Sequence, residues 1–325
     1  MDNFLTAYLQ KIDQEIDKID FGKHPIELYA PITYIMSLGG KRLRPLLTML
    51  SYRIFCQDID KILKPALAVE VFHNFTLMHD DIMDKAPLRR GKATVHEKWS
   101  TSVAILSGDV MLVRAYDLLL NIDPAILPEV LRIFNKCAAE VCEGQQLDMN
   151  FETTYRVSEA DYIEMIRLKT AVLLGLSLEL GALIAGASAR SSSLLRQFGE
   201  KIGIGFQLKD DLLDVYANKE KFGKQIGGDI ISNKKTYLLI KALEKSGNEN
   251  DKLNYWLSAK DFDKEEKVAA VKSIYNDLGV KTDTELKMNA YFTEGFKALE
   301  NINEGDVEII GWLRDFAKNL IDRES

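Results

Sequence analysis

The strongest constraint on what this chain can fold into is the return of apolar residues at three- and four-residue steps almost everywhere. Leu5, Leu9, Ile12, Ile16 and Ile19 make the first such stripe, the spacing that lines one face of an α-helix. Pro25 opens a second helix, Gly39-Gly40 closes it, and a third covers 43–55. From Pro65 a long apolar helix runs into an acidic cluster at 80–84, with Pro87 ending it. Further helices are expected over 102–120, from Pro124 to about 148, and from a capping signal at Ser158 and Asp161 through Lys169 to about 187. Another spans 192–216, and 236–322 is amphipathic again, interrupted at 246–251 and near Gly279 and Gly305. Between them, 218–235 breaks the pattern with Gly223, Gly227, Gly228 and five lysines, which reads as a mobile loop. Strand-like alternation is scarce, and no Asn-Gly or Asp-Gly hairpin signal occurs. With no Pro/Ser-rich linker and no short-period repeat, the expectation is all-α: a single domain over 1–325.

Two acidic clusters stand out from this background. Asp80, Asp81 and Asp84 fall within five residues, and Asp80 and Asp84 share a helix face. Oxygens so placed suit a hard divalent ion such as Mg²⁺, which keeps sites open for water and substrate phosphates. One such cluster alone reads as a solvated helix end. A second, Asp210, Asp211 and Asp214, again closes an apolar stretch, and the pair reads as two walls of one metal site.

Basic residues supply the complementary half. Lys41 and Arg44 sit three apart at the start of a helix, where the dipole and free N–H groups already favour anions. A diphosphate pocket and a solvated basic turn weigh evenly there, and the spacing is not that of a nucleotide-binding P-loop. Arg89-Arg90-Gly91-Lys92 offers forked donors for phosphate, or charge balance for the aspartates. Lys169-Thr170 lies in an otherwise apolar helix, so the lysine needs a polar cavity. Gln207 precedes Asp210 by three residues, while Lys224 and Lys234 bracket the glycines of the loop. His73 lies two turns before Asp80 and nearly in line with it. It is a ligand candidate, whereas His79 and His96 read as structural.

The totals exclude some classes. A net charge of −7 argues against a general nucleic-acid binder. Cys56, Cys137 and Cys142 are too few for a disulfide framework or a four-ligand zinc site, and as reduced residues they fit a cytoplasmic protein. The first residues lack a basic signal-peptide region, and the longest apolar stretch, 171–187, is short and carries Glu179, so no membrane span is expected.

Taken in order, Gly-Gly-Lys-Arg-Leu-Arg-Pro from Gly39, Asp-Asp-Ile-Met-Asp from Asp80, Arg-Arg-Gly from Arg89, Gly-Gln-Gln-Leu-Asp from Gly144, Lys169-Thr170, and Phe-Gln-Leu-Lys-Asp-Asp-Leu-Leu-Asp from Phe206 make a specific series. The chain resembles the trans-isoprenyl diphosphate synthases, or polyprenyl synthetases. The resemblance implies a helical bundle around a central cavity, normally a homodimer. It also implies a carbocation condensation of isopentenyl diphosphate with an allylic diphosphate. By motif, Asp80, Asp84 and Asp210 would hold Mg²⁺, supported by Asp81, Asp211 and Asp214. Lys41, Arg44, His73 and Arg90 would bind the isopentenyl diphosphate. Arg89, Lys169, Thr170, Gln207, Lys224 and Lys234 would bind the allylic one. By the same resemblance Phe75 and Thr76, five and four residues before the first aspartate, would form the floor that sets product length; on the residues alone, an ordinary core phenylalanine weighs equally. The pattern resembles geranylgeranyl synthases most, with farnesyl synthases next. A class I terpene cyclase shares the fold but needs neither Lys41 and Arg44 nor the second acidic cluster, and a non-catalytic partner subunit typically loses one cluster.

Overall fold

The computed structural model describes residues 2–217, 227–247 and 251–322. Helix follows helix wherever the apolar period runs, in two compact units that are each discontinuous in sequence. The first comprises Met1–Lys136, Leu176–Arg196 and Ile302–Leu313. It contains α1 (Asp2–Ile16), α2 (Ile26–Ser37), α3 (Leu43–Phe55), α4 (Asp60–Met83), a short α5 (Val95–Lys98) and α6 (Thr101–Leu119). Helix α4 is apolar on every side from Ala66 to Phe72 except at Glu70, and all these residues are buried. That is the signature of a central helix. Close approach is built into the packing: a Cβ on Gly181 would lie 2.2 Å from the Thr48 carbonyl oxygen of α3, and Ser51 Oγ donates to Leu178 O at 2.5 Å.

The second unit comprises Cys137–Gly175, Gln197–Asn301 and Arg314–Ser325. It holds the greater part of α7 (Leu127–Thr153), α8 (Glu159–Ile166), the start of α9 (Val172–Ile184), most of α10 (Ala189–Tyr216), α11 (Gly228–Ile231), α12 (Tyr237–Ser246), α13 (Asp251–Ser258), α14 (Lys264–Asp277), α15 (Val280–Glu300) and the end of α16 (Val307–Asp322). One apolar cluster gathers Phe151, Tyr162, Met165, Ile166, Ile204, Leu208 and Tyr237; another forms around Leu212, Val215, Leu238 and Val271. The capping signal is realised in full: Asp161 N donates to Ser158 Oγ at 3.1 Å and Ser158 N to the Asp161 carboxylate at 3.3 Å.

Four details differ from the sequence expectation. Helix α4 starts at Asp60, because Pro65 sits in its early turns without breaking it. The helix expected to continue through Lys169 is interrupted by a π-helical turn, Arg167–Ala171. A two-stranded hairpin does occur: β1 (Leu88–Arg89) pairs antiparallel with β2 (Lys92–Ala93), Arg89 opposite Lys92. Its turn has Arg90 at φ 53° and Gly91 at φ 74°, the two positive values a type I′ turn requires. An arginine fills the place usually held by Asn or Asp, so the usual dipeptide signal was lacking. Of the glycine-rich segment expected to be a mobile loop, the first half, 218–226 with Lys224, lies outside the described residues; the second half forms α11, because Gly227 N and Asp229 N are held by Asp214.

Candidate active site

In the first unit the chain leaves α2 through Gly39 at φ 75° and Gly40 at φ 143°, then enters α3 from Arg42. Lys41 is exposed. Arg44 extends Nη1 to within 3.1 Å of His73 Nε2. A guanidinium only donates, so Nε2 accepts and the imidazole is neutral, with its proton on Nδ1. Burial, then the charges of Arg44, Arg90, Arg89 and Arg42, hold His73 well below its ordinary pKa. Arg90 packs on the same turn: a Cβ at Gly40 would stand 2.8 Å from Arg90 Nη2, so a side chain there would displace the guanidinium.

The first acidic cluster divides by direction. Asp81 is buried and takes a forked grip from Arg89, whose Nε lies 2.8 and 2.9 Å from its two carboxylate oxygens and whose Nη2 lies 2.6 Å from Oδ1. Arg89 Nη2 stands 3.8 Å from Asp80 Oδ2. Asp84, the C-cap of α4, is exposed. Phe75 lies on α4 with its ring 5.6 Å from Phe72 and 4.8 Å from His79. Thr76 Oγ1 donates to His73 O at 2.7 Å. His79 itself fills the space left by Gly108, where a Cβ would meet its Nε2 at 2.2 Å.

The second cluster, at the end of α10, repeats this division. Asp211 is buried and accepts from Tyr162 Oη at 2.5 Å and from Tyr237 N at 3.2 Å. Burial pushes its carboxyl up to about 7, against the pull of the Tyr162 hydrogen bond. Asp214 accepts Asp229 N at 3.1 Å on its carboxylate and Gly227 N at 2.7 Å on its backbone oxygen, tying the end of α10 to the start of α11. Gln207 is half-buried one turn earlier, and Asp210 is exposed. Lys169 belongs to the π-helical turn and donates to Asp148 Oδ2 at 2.6 Å, with Thr170 half-buried beside it. Gly144, one turn before Asp148 on α7, admits the turn: a Cβ there would lie 2.2 Å from Lys169 N. Lys234 Nζ stands 4.0 Å from Asp229 Oδ1.

These donors fit a hard divalent cation. Asp229 is raised above the usual carboxylate range by burial; Lys234 opposes the shift, and Asp214, Asp148 and Asp210 reinforce it. Crowding of that kind is what a bound cation relieves. Mg²⁺ ordinarily completes its shell with waters and phosphate, and among the described residues no three His, Cys, Asp or Glu side chains gather as a ready-made cage.

Tyr162 and Asp229 escaped the sequence reading, and Arg42 and Gly144 entered it only as members of motifs, with no role of their own. Glu70 inside an apolar helix was the trace of a buried cation opposite it, and a glycine in mid-helix is the usual trace of a close approach. Tyr162 and Asp229 left no trace among other tyrosines and aspartates.

The sequence profile of the polyprenyl synthetase family matches residues 25–278. A geranylgeranyl diphosphate synthase of Methanosarcina mazei is 42% identical over 236 residues, 72% of this chain and 73% of that one. A crystal structure of a geranylgeranyl pyrophosphate synthase superposes with a TM-score of 0.93 at 40% identity, covering 99% of both chains. The Corynebacterium glutamicum geranylgeranyl pyrophosphate synthase, solved with isoprenyl diphosphate and magnesium, has a TM-score of 0.81 at 28% identity over 98% of this chain and 96% of its own.

Proposed function

Because this chain belongs to the polyprenyl synthetase family, we propose that it condenses isopentenyl diphosphate head to tail with an allylic diphosphate to give geranylgeranyl diphosphate. The enzyme is a prenyltransferase of the short-chain type. One observation carries the substrate assignment. Arg44 donates to the neutral His73 at 3.1 Å while the guanidinium of Arg90 packs over Gly40, and forked donors gathered beside an imidazole that carries no charge suit a phosphate anion.

In this reading Lys41, Arg44, His73 and Arg90 hold the isopentenyl diphosphate. Arg89, Lys169, Thr170, Gln207, Lys224 and Lys234 hold the allylic diphosphate. Asp80, Asp84 and Asp210 hold Mg²⁺, the ion present with substrate in the corynebacterial relative. Asp214 supports them from the end of α10. Asp81 and Asp211 face inward, so their support is indirect, through Arg89 and through Tyr162 and the Tyr237 backbone. Magnesium, when bound, neutralises the diphosphate and makes it a leaving group. Arg89 and Lys169 place fixed positive charge where negative charge grows as the allylic C–O bond breaks, which is how preorganised groups lower such barriers. The double bond of isopentenyl diphosphate then attacks the allylic cation, and the released diphosphate takes the proton. The allylic cation must be kept from water, which would quench it. Phe75, braced by Phe72 and His79, closes the path of the growing chain, with Thr76 beside it.

The two units act as one catalytic domain, and two copies of the chain associate through α6. That helix exposes Leu106 and Val113, and its C-cap Leu120 follows at the same seven-residue interval, the repeat of a helix–helix seam. A monomer mass by light scattering would refute the dimer. Among the described residues no helix is long and apolar enough to cross a membrane. With Cys56, Cys137 and Cys142 free, we place the enzyme in the cytoplasm.

The test is incubation of the purified chain with labelled isopentenyl diphosphate, an allylic co-substrate and Mg²⁺. Label in a longer linear diphosphate supports the reading. A cyclised hydrocarbon points to a terpene cyclase, and absence of any product points to a partner subunit.

A further inference from the structure

Of the three cations in Lys41-Arg42-Leu43-Arg44, the middle one turns away from the others. The Arg42 side chain is only 5% exposed. Its Nη1 donates to Glu70 Oε1 at 2.8 Å, its Nε to Asp13 Oδ1 at 3.0 Å and its Nη2 to the Met36 carbonyl at 2.9 Å. One guanidinium therefore ties α1, the end of α2 and the middle of α4 to the residue from which α3 begins. Three bonds in three directions need a planar fork, which an ammonium on a flexible stem does not supply. Glu70 is buried as deeply, at 3%, and takes a further bond from Asn74 Nδ2 at 3.3 Å.

The backbone at the same residue is left-handed, φ 45°, a conformation that long side chains rarely adopt and that persists when its surroundings over-determine it. Its carbonyl accepts the first hydrogen bond of α3, from Leu46 N at 3.2 Å. The angle at Arg42 thus sets both the direction in which Lys41 leaves the helix and the axis on which Arg44 stands. Two residues earlier, Gly40 receives the guanidinium of Arg90. The three cations read above as contacts of one diphosphate all depend on this single turn.

We propose that Arg42 is a positioning residue: through its bonds to Glu70, Asp13 and Met36 it holds Lys41, Arg44 and Arg90 in place for isopentenyl diphosphate without touching it. The inference rests on the assignment of that substrate to those residues.

Two variants of the full chain test it. Arg42→Lys keeps a charge opposite Glu70 and loses the fork. Arg42→Met combined with Glu70→Met replaces the buried pair by apolar groups, an exchange that folded proteins commonly tolerate. KM is measured for each substrate separately, with far-UV circular dichroism as the check on folding. In a variant of native helicity, KM for isopentenyl diphosphate should rise by about tenfold or more, the scale expected when positioning groups slip by a fraction of an ångström. KM for the allylic substrate should stay within about twofold, since its contacts lie elsewhere. An unchanged KM for isopentenyl diphosphate, an equal rise in both constants, or loss of helicity in both variants overturns the proposal. A wild-type chain without incorporation removes the substrate assignment beneath it, whereas an active wild type with unaffected variants removes the role of Arg42 alone.

Discussion

Gly144→Ala sets a helix-propensity gain against a steric loss, and the geometry decides the winner. A Cβ at 144 would lie 2.2 Å from Lys169 N, 2.6 Å from Lys169 Cα and 2.7 Å from Leu168 C. These are backbone atoms of a helical turn and have no rotamer to escape into. Reaching the 3.4 Å at which ordinary contact begins requires α7 and the π-helical turn to part by about 1 Å. Overpacking of this kind costs about 1–3 kcal/mol, whereas alanine in mid-helix returns at most about 1 kcal/mol, so the variant should melt a few degrees lower. The larger effect falls on Lys169, whose 2.6 Å bond to Asp148 spans the same gap. A displacement of about 1 Å in a substrate-positioning group lowers kcat/KM by as much as about 100-fold. The assay varies the allylic diphosphate at saturating isopentenyl diphosphate, alongside a thermal melt. A fall of about 10- to 100-fold in allylic kcat/KM with little change in the other KM is expected. A variant that melts higher and turns over like wild type would refute the close approach and the role given to Lys169.

Below about pH 6.5 the unfolded chain protonates His73 while the folded chain keeps it neutral, so stability should fall by up to about 1.4 kcal/mol per pH unit as pH drops. In His73→Gln the amide oxygen still accepts from Arg44, and the loss between pH 7.5 and 5 in urea unfolding should be smaller; an identical loss would show that His73 does not titrate as inferred. Tyr162→Phe removes the phenol that donates to the buried Asp211 and should cost about 1–3 kcal/mol, read as a lowered unfolding midpoint. A midpoint equal to wild type would show that the phenol is dispensable. Phe75→Ala should lengthen the prenyl chains seen by chromatography, and an unchanged product pattern would remove Phe75 from the floor.

Most of the fold was legible because helical period is a local property. The stripe of α1, the Ser158 capping box and the span of α6 needed no knowledge of the rest of the chain. The π-helical turn was not legible, since one extra residue within Arg167–Ala171 leaves the apolar run that follows it unchanged. The hairpin at Arg89 was missed because Arg90 accepts a positive φ while its guanidinium lies on Gly40, a contact made through space.

Within the site, the i, i+4 rule puts Asp80 with Asp84 and Asp210 with Asp214 on one helix face each. It also implies that the middle aspartate points about 100° away, and in both clusters that residue is the buried one. Which partner receives it, Arg89 in one case and Tyr162 in the other, depends on tertiary packing. The same holds for Lys41, Arg42 and Arg44: their order shows three cations in four residues, and the one turned inward is set by Glu70, twenty-eight residues on.

The central claim is that two distant acidic clusters serve one magnesium-bound diphosphate. It is tested most directly by Mg²⁺-dependent incorporation of labelled isopentenyl diphosphate in Asp80→Ala, Asp210→Ala and the double variant, each checked for native helicity. Groups that work as a unit are non-additive: each single variant should lose nearly all turnover, and the double variant should lose hardly more. Near-normal turnover in Asp80→Ala, or independent losses that multiply in the double variant, would contradict the account.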